Sequence, residues 1–357
     1  MKTANKGEWS ELWAFVQSMA TGKIDLCDEH LTPLIGQQLP LQKVFREDII
    51  FDLSDPENIS FKLADETQIE VSRSLLKREI KEFFKEFTNA QGRAFSCISG
   101  EKLLKDFYQS EIKAPSRQKK DIEFEILDPK VLIPRKVGFS IKSQLGGKST
   151  LLNASRDNTN FCFEIVGGHF DINSINSINS GSKIKDRVNA LIDAKCSFKF
   201  SHCKGAVFNQ NLTKIDSQMP ELLGWATLLN FVMPRGEKNL TDVLADKRFQ
   251  DSAQTIAIPL DAASIEYKFK HLLSAIALGM VPATPWSGII DADGGYLVVK
   301  RNGDLVCFHV YNLGNFQEYL LRHVMFDTPA SRNNFGFIYE RNGQSFFDVN
   351  CQIRFNT

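Results

Sequence analysis

The sequence predicts an α/β (α+β) protein, a mixed β-sheet flanked by helices with a further α+β region towards the C-terminus. Three observations carry this. Asp121-Ile122-Glu123-Phe124-Glu125-Ile126 alternates acidic and apolar residues with period two, the mark of a half-buried strand. Residues 7–20 and 73–88 carry apolar stripes at helical spacing. Residues 295–310 read as a hairpin. The chain has 357 residues, enough for one large domain or two. A division into 1–210, carrying the site, and 211–357, helical with a β-hairpin, is expected.

Trp9, Leu12, Trp13 and Val16 recur at i, i+3, i+4, i+7 and predict the first helix. Glu8 and Glu11 lie at its start, where the helix dipole favours acids. Residues 47–72 hold short strand-like runs such as Asp48-Ile49-Ile50-Phe51-Asp52. The helix at 73–88 has Leu75, Leu76, Ile80, Phe83, Phe84 and Phe87 as its apolar residues and a basic flank of Lys77, Arg78, Lys81 and Lys85, read as a solvated face. Lys113 to Lys120 is polar and basic and leads into the acidic strand. Leu127 to Val137 carries Pro129 and Pro134 and reads as its connection to Gly138-Phe139-Ser140-Ile141-Lys142-Ser143. Gly147-Lys148-Ser149 resembles the end of a phosphate loop, but the first glycine of that motif falls at Lys142, so no nucleotide site is expected.

Asn160 to Val166 reads as a strand. Asp171 to Ser180 is a short triplet repeat, a loop or capped helix start. Helices are expected at 182–194, 217–232, 262–279 and 314–324. Asp327 to Asn334 is a polar loop, and Val349 to Phe355 a terminal strand.

Composition excludes little. Lys plus Arg equals Asp plus Glu at 43 each, and a local basic stripe suffices for nucleic acid. No apolar run reaches membrane-spanning length, so no membrane contact is expected, and the N-terminus lacks a signal peptide's apolar core. Seven scattered cysteines fit a reduced, cytoplasmic protein. Cys196, His202 and Cys203 lack two ligands for a zinc site. Twenty-eight phenylalanines predict a Phe-packed core.

The chemistry concentrates in the acidic hairpin. Folded symmetrically, it sets Asp121 opposite Ser140 and one step from Lys142, so that a carboxylate and a lysine share one face. That geometry suits a divalent metal and a water beside a phosphodiester. The pattern Asp, variable hairpin, acid-x-Lys resembles the PD-(D/E)xK nuclease core. A longer match runs through Gly138 to Gly146, Thr150 to Ser155 and Thr159-Asn160-Phe161. It continues in Asn5-Lys6-Gly7-Glu8-Trp9-Ser10-Glu11, Ala277-Leu278-Gly279-Met280, Asp293-Gly294-Gly295-Tyr296, Phe326-Asp327-Thr328-Pro329 and Asn350 to Phe355. These segments together resemble the HpaII family of type II restriction endonucleases, over nearly the whole chain.

The resemblance implies a restriction-endonuclease-like sheet and Mg²⁺-dependent cleavage of duplex DNA at a short palindrome. CCGG, the site of the family's namesake, is the expected sequence. It implies a homodimer at least on DNA and a cognate DNA methyltransferase. On this reading Asp121 is the central metal ligand and Lys142 activates water. Ser140 stands where most such nucleases keep an acid. The metal set is then Asp121, the Ile141 carbonyl, water and an N-terminal acid, Glu11 or Glu8. Asp128, beside Pro129, is the rival first ligand; Asp121 is preferred because Asp128 shares the parity of the apolar face. Gln144 is placed at the scissile phosphate or a water. Arg332 is the first candidate for reading guanine, with Arg322 and Arg354 behind it. Lys148, Arg156 and Lys119 are candidates for phosphate contacts. The rival functions are a repair or structure-specific nuclease on the same core and a decayed, non-cleaving DNA-binding protein.

Overall fold

The computed structural model describes residues 1–113, 120–128, 130, 132–234, 238–256 and 259–356. The described residues form two compact units. The first comprises residues 1–149, 277–279 and 290–319; the second comprises 150–276, 280–289 and 320–357. The expected division near residue 210 therefore falls inside the second unit.

The first unit opens with helix α1 (Lys6–Thr21), started by a capping box in which Asn5 and Glu8 satisfy each other's backbone amides. Strands β1 (Lys23–Cys27), β2 (Pro33–Arg46), β3 (Ile49–Asp52), β4 (Asn58–Lys62) and β5 (Gln68–Ser72) follow. Helices α2 (Arg73–Asn89) and α3 (Ile98–Asp106) precede the acidic hairpin, β6 (Ile122–Leu127) and β7 (Pro134–Ser143). Later in the chain the unit gains β11 (Gly295–Val299) and β12 (Leu305–His309).

The first unit's strands form one nine-stranded sheet, β1-β12-β11-β7-β6-β2-β3-β4-β5. The β11–β7 and β1–β12 pairs are parallel and the rest antiparallel, so the sheet is mixed as expected. β2 is long enough to pair with β1 along its first half and with β6 and β3 along its second. Since β1 also pairs with β12, six strands close into a ring. The hairpin at 295–310 is expected in the C-terminal region. Instead it completes this sheet, because Gly-Tyr-Leu-Val-Val is buried on both faces and fits a central parallel position.

Helix α1 packs against β1, β2, β7 and β12. Leu12, Phe15, Val16 and Met19 join Phe124, Phe139, Ile141 and Leu297 in one core cluster. The expected phenylalanine core is present: Phe15, Phe51, Phe61 and Phe107 pack edge-on or tilted on one another.

The second unit carries β8 (Thr150–Leu152), β9 (Asn160–Val166), α4 (Ile172–Asn176), α5 (Lys183–Asp193), β10 (Ser197–Cys203), α6 (Ala206–Ile215), α7 (Met219–Val232), α8 (Leu240–Ala245) and α9 (Lys247–Gln254). Helices α10 (Ala262–Leu278) and α11 (Leu313–His323) cross the division between units. The chain ends with β13 (Val324–Phe326), β14 (Ile338–Arg341), β15 (Gln344–Asn350) and β16 (Ile353–Phe355). Strands β10-β9-β15-β14 form one antiparallel sheet, and β13-β16-β8 a smaller one. The expected terminal strand is thus two strands in different sheets, broken at Cys351-Gln352. The triplet repeat starts α4, capped by Asp171. All seven cysteines are buried and free. Among the described residues no helix is long and apolar enough to cross a membrane.

Candidate active site

The register of the acidic hairpin runs from Leu127 opposite Pro134 to Ile122 opposite Phe139, and its next step sets Asp121 opposite Ser140. The Asp121 amide donates to the Phe139 carbonyl at 2.8 Å. There β6 ends, and the next inward-pointing amide of β7 lacks a strand to meet. The Asp121 carboxylate takes that place. Its Oδ2 accepts from Ile141 N at 2.6 Å and from Ser140 Oγ at 3.3 Å. A charged acceptor makes such a bond about twice as strong as a neutral one.

A strand residue's N–H and C=O point to the same side in the sheet plane. The Ile141 carbonyl therefore opens towards Asp121. On the other side of β7, Tyr296 pairs with Ser140 and Val298 with Lys142. Lys142 lies two residues beyond Ser140, so its half-buried side chain leaves the sheet on the Ser140 face. Gln144 continues the ladder, its amide donating to Val299 O at 2.9 Å.

The other acids of this face are paired. Glu123 meets Lys120 at 2.9 Å and Lys136 at 3.3 Å, and Glu125 meets Lys43 at 2.9 Å. Burial pushes the Glu123 carboxyl up, but hydrogen bonds from Lys120 and Lys136 outweigh it and hold the group below its usual range. Among the described residues Lys142 has no such partner. Lys120 is a cation beside Asp121 that the sequence reading passed over. Its signal was its place one residue before the alternating strand.

Asp128 takes a different role. It lies at the turn end of the hairpin, seven strand residues from Asp121, or about 23 Å along an extended chain. It is 2% exposed, accepts from Tyr311 Oη at 2.6 Å and Lys130 N at 2.8 Å, and faces Arg135 at 3.5 Å. These bonds pin the hairpin connection. Asp128 and Lys142 thus stand at opposite ends of the hairpin and do not share one site.

The N-terminal acids come from the other face. Ser10 Oγ lies 2.7 Å from Ser143 Oγ, and Ser143 alternates with Lys142. α1 therefore meets the sheet on the side away from Lys142. Glu8 closes the capping box and is paired with Lys113. Burial raises its carboxyl, but Lys113 and the Asn5 amide outweigh that and lower it. Glu11 lies in the field of Arg46 and Lys113. Among the described residues no group of three or more His, Cys, Asp or Glu is arranged to hold a metal.

The remaining candidates are dispersed. Lys148 lies, half-buried, in the loop after β7, and that loop runs into a strand rather than the helix a phosphate loop needs. In the second unit Arg156 is exposed beside Asp157 at 3.5 Å, and Arg322 is exposed in the last turn of α11. Arg332 is exposed in a short 3-10 turn, Ser331–Asn333. Arg354 is held by Asp327 at 2.8 Å. Lys119 lies outside the described residues. Asp293-Gly294-Gly295 proves structural. Asp293 accepts from Gly138 N at 2.7 Å, and a Cβ on Gly294 would fall 2.5 Å from the Phe139 ring.

Sequence comparison places the chain among the site-specific restriction endonucleases. The family model that matches describes the HpaII restriction endonuclease and spans residues 5–355. The chain is also 36% identical over 360 residues to the type II restriction enzyme HpaII of Haemophilus parainfluenzae, covering 99% of this chain and 98% of that one. The chain belongs to the HpaII restriction endonuclease family. No solved structure matches it.

Proposed function

We propose that the protein hydrolyses phosphodiesters of duplex DNA at the palindrome CCGG with Mg²⁺, using the Asp121–Lys142 face. The observation that carries this is the Asp121 carboxylate docked at the Ile141 amide, with Ser140 against it and Lys142 two residues on. Asp121, the Ile141 carbonyl and the Ser140 hydroxyl form an all-oxygen donor set. Mg²⁺ prefers such oxygens, keeps several waters and uses only one or two carboxylates, so a single acid is compatible with it. A bound Mg²⁺ supplies a lowered pKa for water and charge stabilisation on the phosphate. In this assignment Asp121 orients that donor set through its bond to the backbone. Lys142 holds the attacking water by hydrogen bonding and adds positive field where charge develops. Gln144 lies further along the same ladder, in reach of a phosphate oxygen or a water. Arg332 is assigned to guanine, with Arg322 behind it, and Lys148 and Arg156 to backbone phosphates.

A palindrome read by identical sites calls for two copies on one duplex, and a cutter of its host's own sequence calls for a cognate methyltransferase. Digestion of a sequenced plasmid with Mg²⁺, followed by sequencing of the ends, tests the proposal. Ends at every CCGG are expected, with cutting abolished in Lys142→Ala and by EDTA. Cutting at another sequence refutes the site; cutting by Lys142→Ala at the wild-type rate refutes the mechanism.

A further inference from the structure

The second unit holds a cavity of about 310 Å³ to which the nuclease mechanism gives no role. Two segments singled out in the sequence meet there. The end of the triplet repeat, Ser180, leads into α5 along one wall, and Phe326-Asp327-Thr328 supplies another. Three half-buried lysines line the cavity: Lys183, Lys185 and Lys238. Asp327, the one acidic side chain among its described lining residues, is already taken by Arg354 at 2.8 Å. Among the described residues none of the three lysines has an ion-pair partner; Lys238 Nζ reaches the Asn230 carbonyl at 3.5 Å.

The charges strain one another. Burial first, then the positive charges of Lys185 and Arg248, lower the Lys238 ammonium from its ordinary value, against the opposing pull of Asp242 and Asp246. Like charges gathered in a hollow raise its potential and concentrate anions. Phe231 adds an aromatic wall. The volume sits at the lower end of the range for small-molecule sites.

The geometry points to a phosphate-ester site: the anionic oxygens lie on Lys183, Lys185 and Lys238, and the attached nucleoside lies against Phe231. A phosphate ester comes either from the backbone of bound DNA or from a free nucleotide. The cavity's lining contains neither Asp121 nor Lys142, so a metal-free binding test separates its failure from failure of the cleavage assignment.

Wild-type protein and the double variant Lys185→Gln/Lys238→Gln are titrated without divalent metal. One ligand is a duplex lacking CCGG, over a series of salt concentrations; the other is deoxyadenosine monophosphate. Thermal melting checks the fold. The double variant is expected to lose about tenfold or more in affinity for one of them. Loss on the duplex, with a salt dependence shallower by about one to two phosphates, assigns the site to backbone phosphate. Loss on the mononucleotide alone assigns it to a free nucleotide. In wild-type protein the same ligand should slow acetylation of these three lysines, read by mass spectrometry, which does not depend on the variant folding. Affinities unchanged for both ligands, or acetylation indifferent to both, overturns the site.

Discussion

The carboxylate of Asp121 does two jobs with one geometry: it ends the β6–β7 ladder at Ile141 and presents oxygen at the strand end. The two are separable. Asp121→Ala leaves the Ile141 amide without its acceptor and should cost about 1–3 kcal/mol of stability. Asp121→Asn keeps an oxygen acceptor and should melt close to wild type, yet cleave roughly 100-fold or more slowly. Wild-type cleavage by the Asn variant would reduce Asp121 to a ladder terminus. This pairing was legible in the sequence because period two fixes which side chains share a face, and a symmetric hairpin fixes which are opposite. The distinction between Glu8 and a metal ligand was not legible, since capping and ligation call for the same residue type. Asp128 was legible only as a rival, because its partner Tyr311 lies 183 residues away.

His309 carries a pH signature at this same scale. It is 3% exposed, and burial outweighs the pull of Asp128 to push its imidazole down to about 4 from 6.5. The folded state holds it neutral while the unfolded chain takes a proton near 6.5. Stability should therefore fall as pH drops from about 6.5 to about 4 and level off below. Urea titrations at pH 7 and pH 4.5 should show the gap between wild type and His309→Gln narrowing at the lower pH. A constant gap would remove His309 as the cause.

At the scale of elements, α3 is locked onto α1 and α2 through a glycine. A Cβ at Gly100 would lie 2.7 Å from Trp9 Cζ3 and 2.9 Å from Phe83 Cε2. Gly100→Ala should overpack this junction and cost about 1–3 kcal/mol, read as a lower melting temperature, with cleavage per folded molecule unchanged. An unaltered melting point would mean the helices shift freely. This glycine in the first turn also explains why α3 left little trace in the sequence: glycine weakens a helical pattern. α1 and α2 were legible because long apolar stripes survive without context. β2 was not, since most of its first half is exposed and shows no alternation. The β11–β12 hairpin was legible as a hairpin, from its turn and apolar arms. Its pairing with β7 was not, because strand pairing over such sequence distance leaves no local trace.

For the whole molecule, that distant pairing decides what can fold alone. The sheet that carries Asp121 and Lys142 is completed by β11 and β12, which arrive only after most of the second unit has been threaded. A fragment of residues 1–210 lacks both strands and exposes the β7 edge. It should show no cooperative thermal transition by circular dichroism; a sharp transition with native-like spectrum would show that the ring of strands is dispensable. Folding by such non-local contacts is slow. The buried thiols give that slowness a clock. Burial lifts Cys27, Cys203 and Cys351 to about 12, and the thiolate is the form that alkylating reagents attack. A native chain is therefore nearly silent to maleimide, and every adduct records a moment of opening. Cys27, Cys97 and Cys307 belong to one unit, and Cys162, Cys196, Cys203 and Cys351 to the other. Peptide mapping of those adducts on gentle heating would reveal which half loosens first.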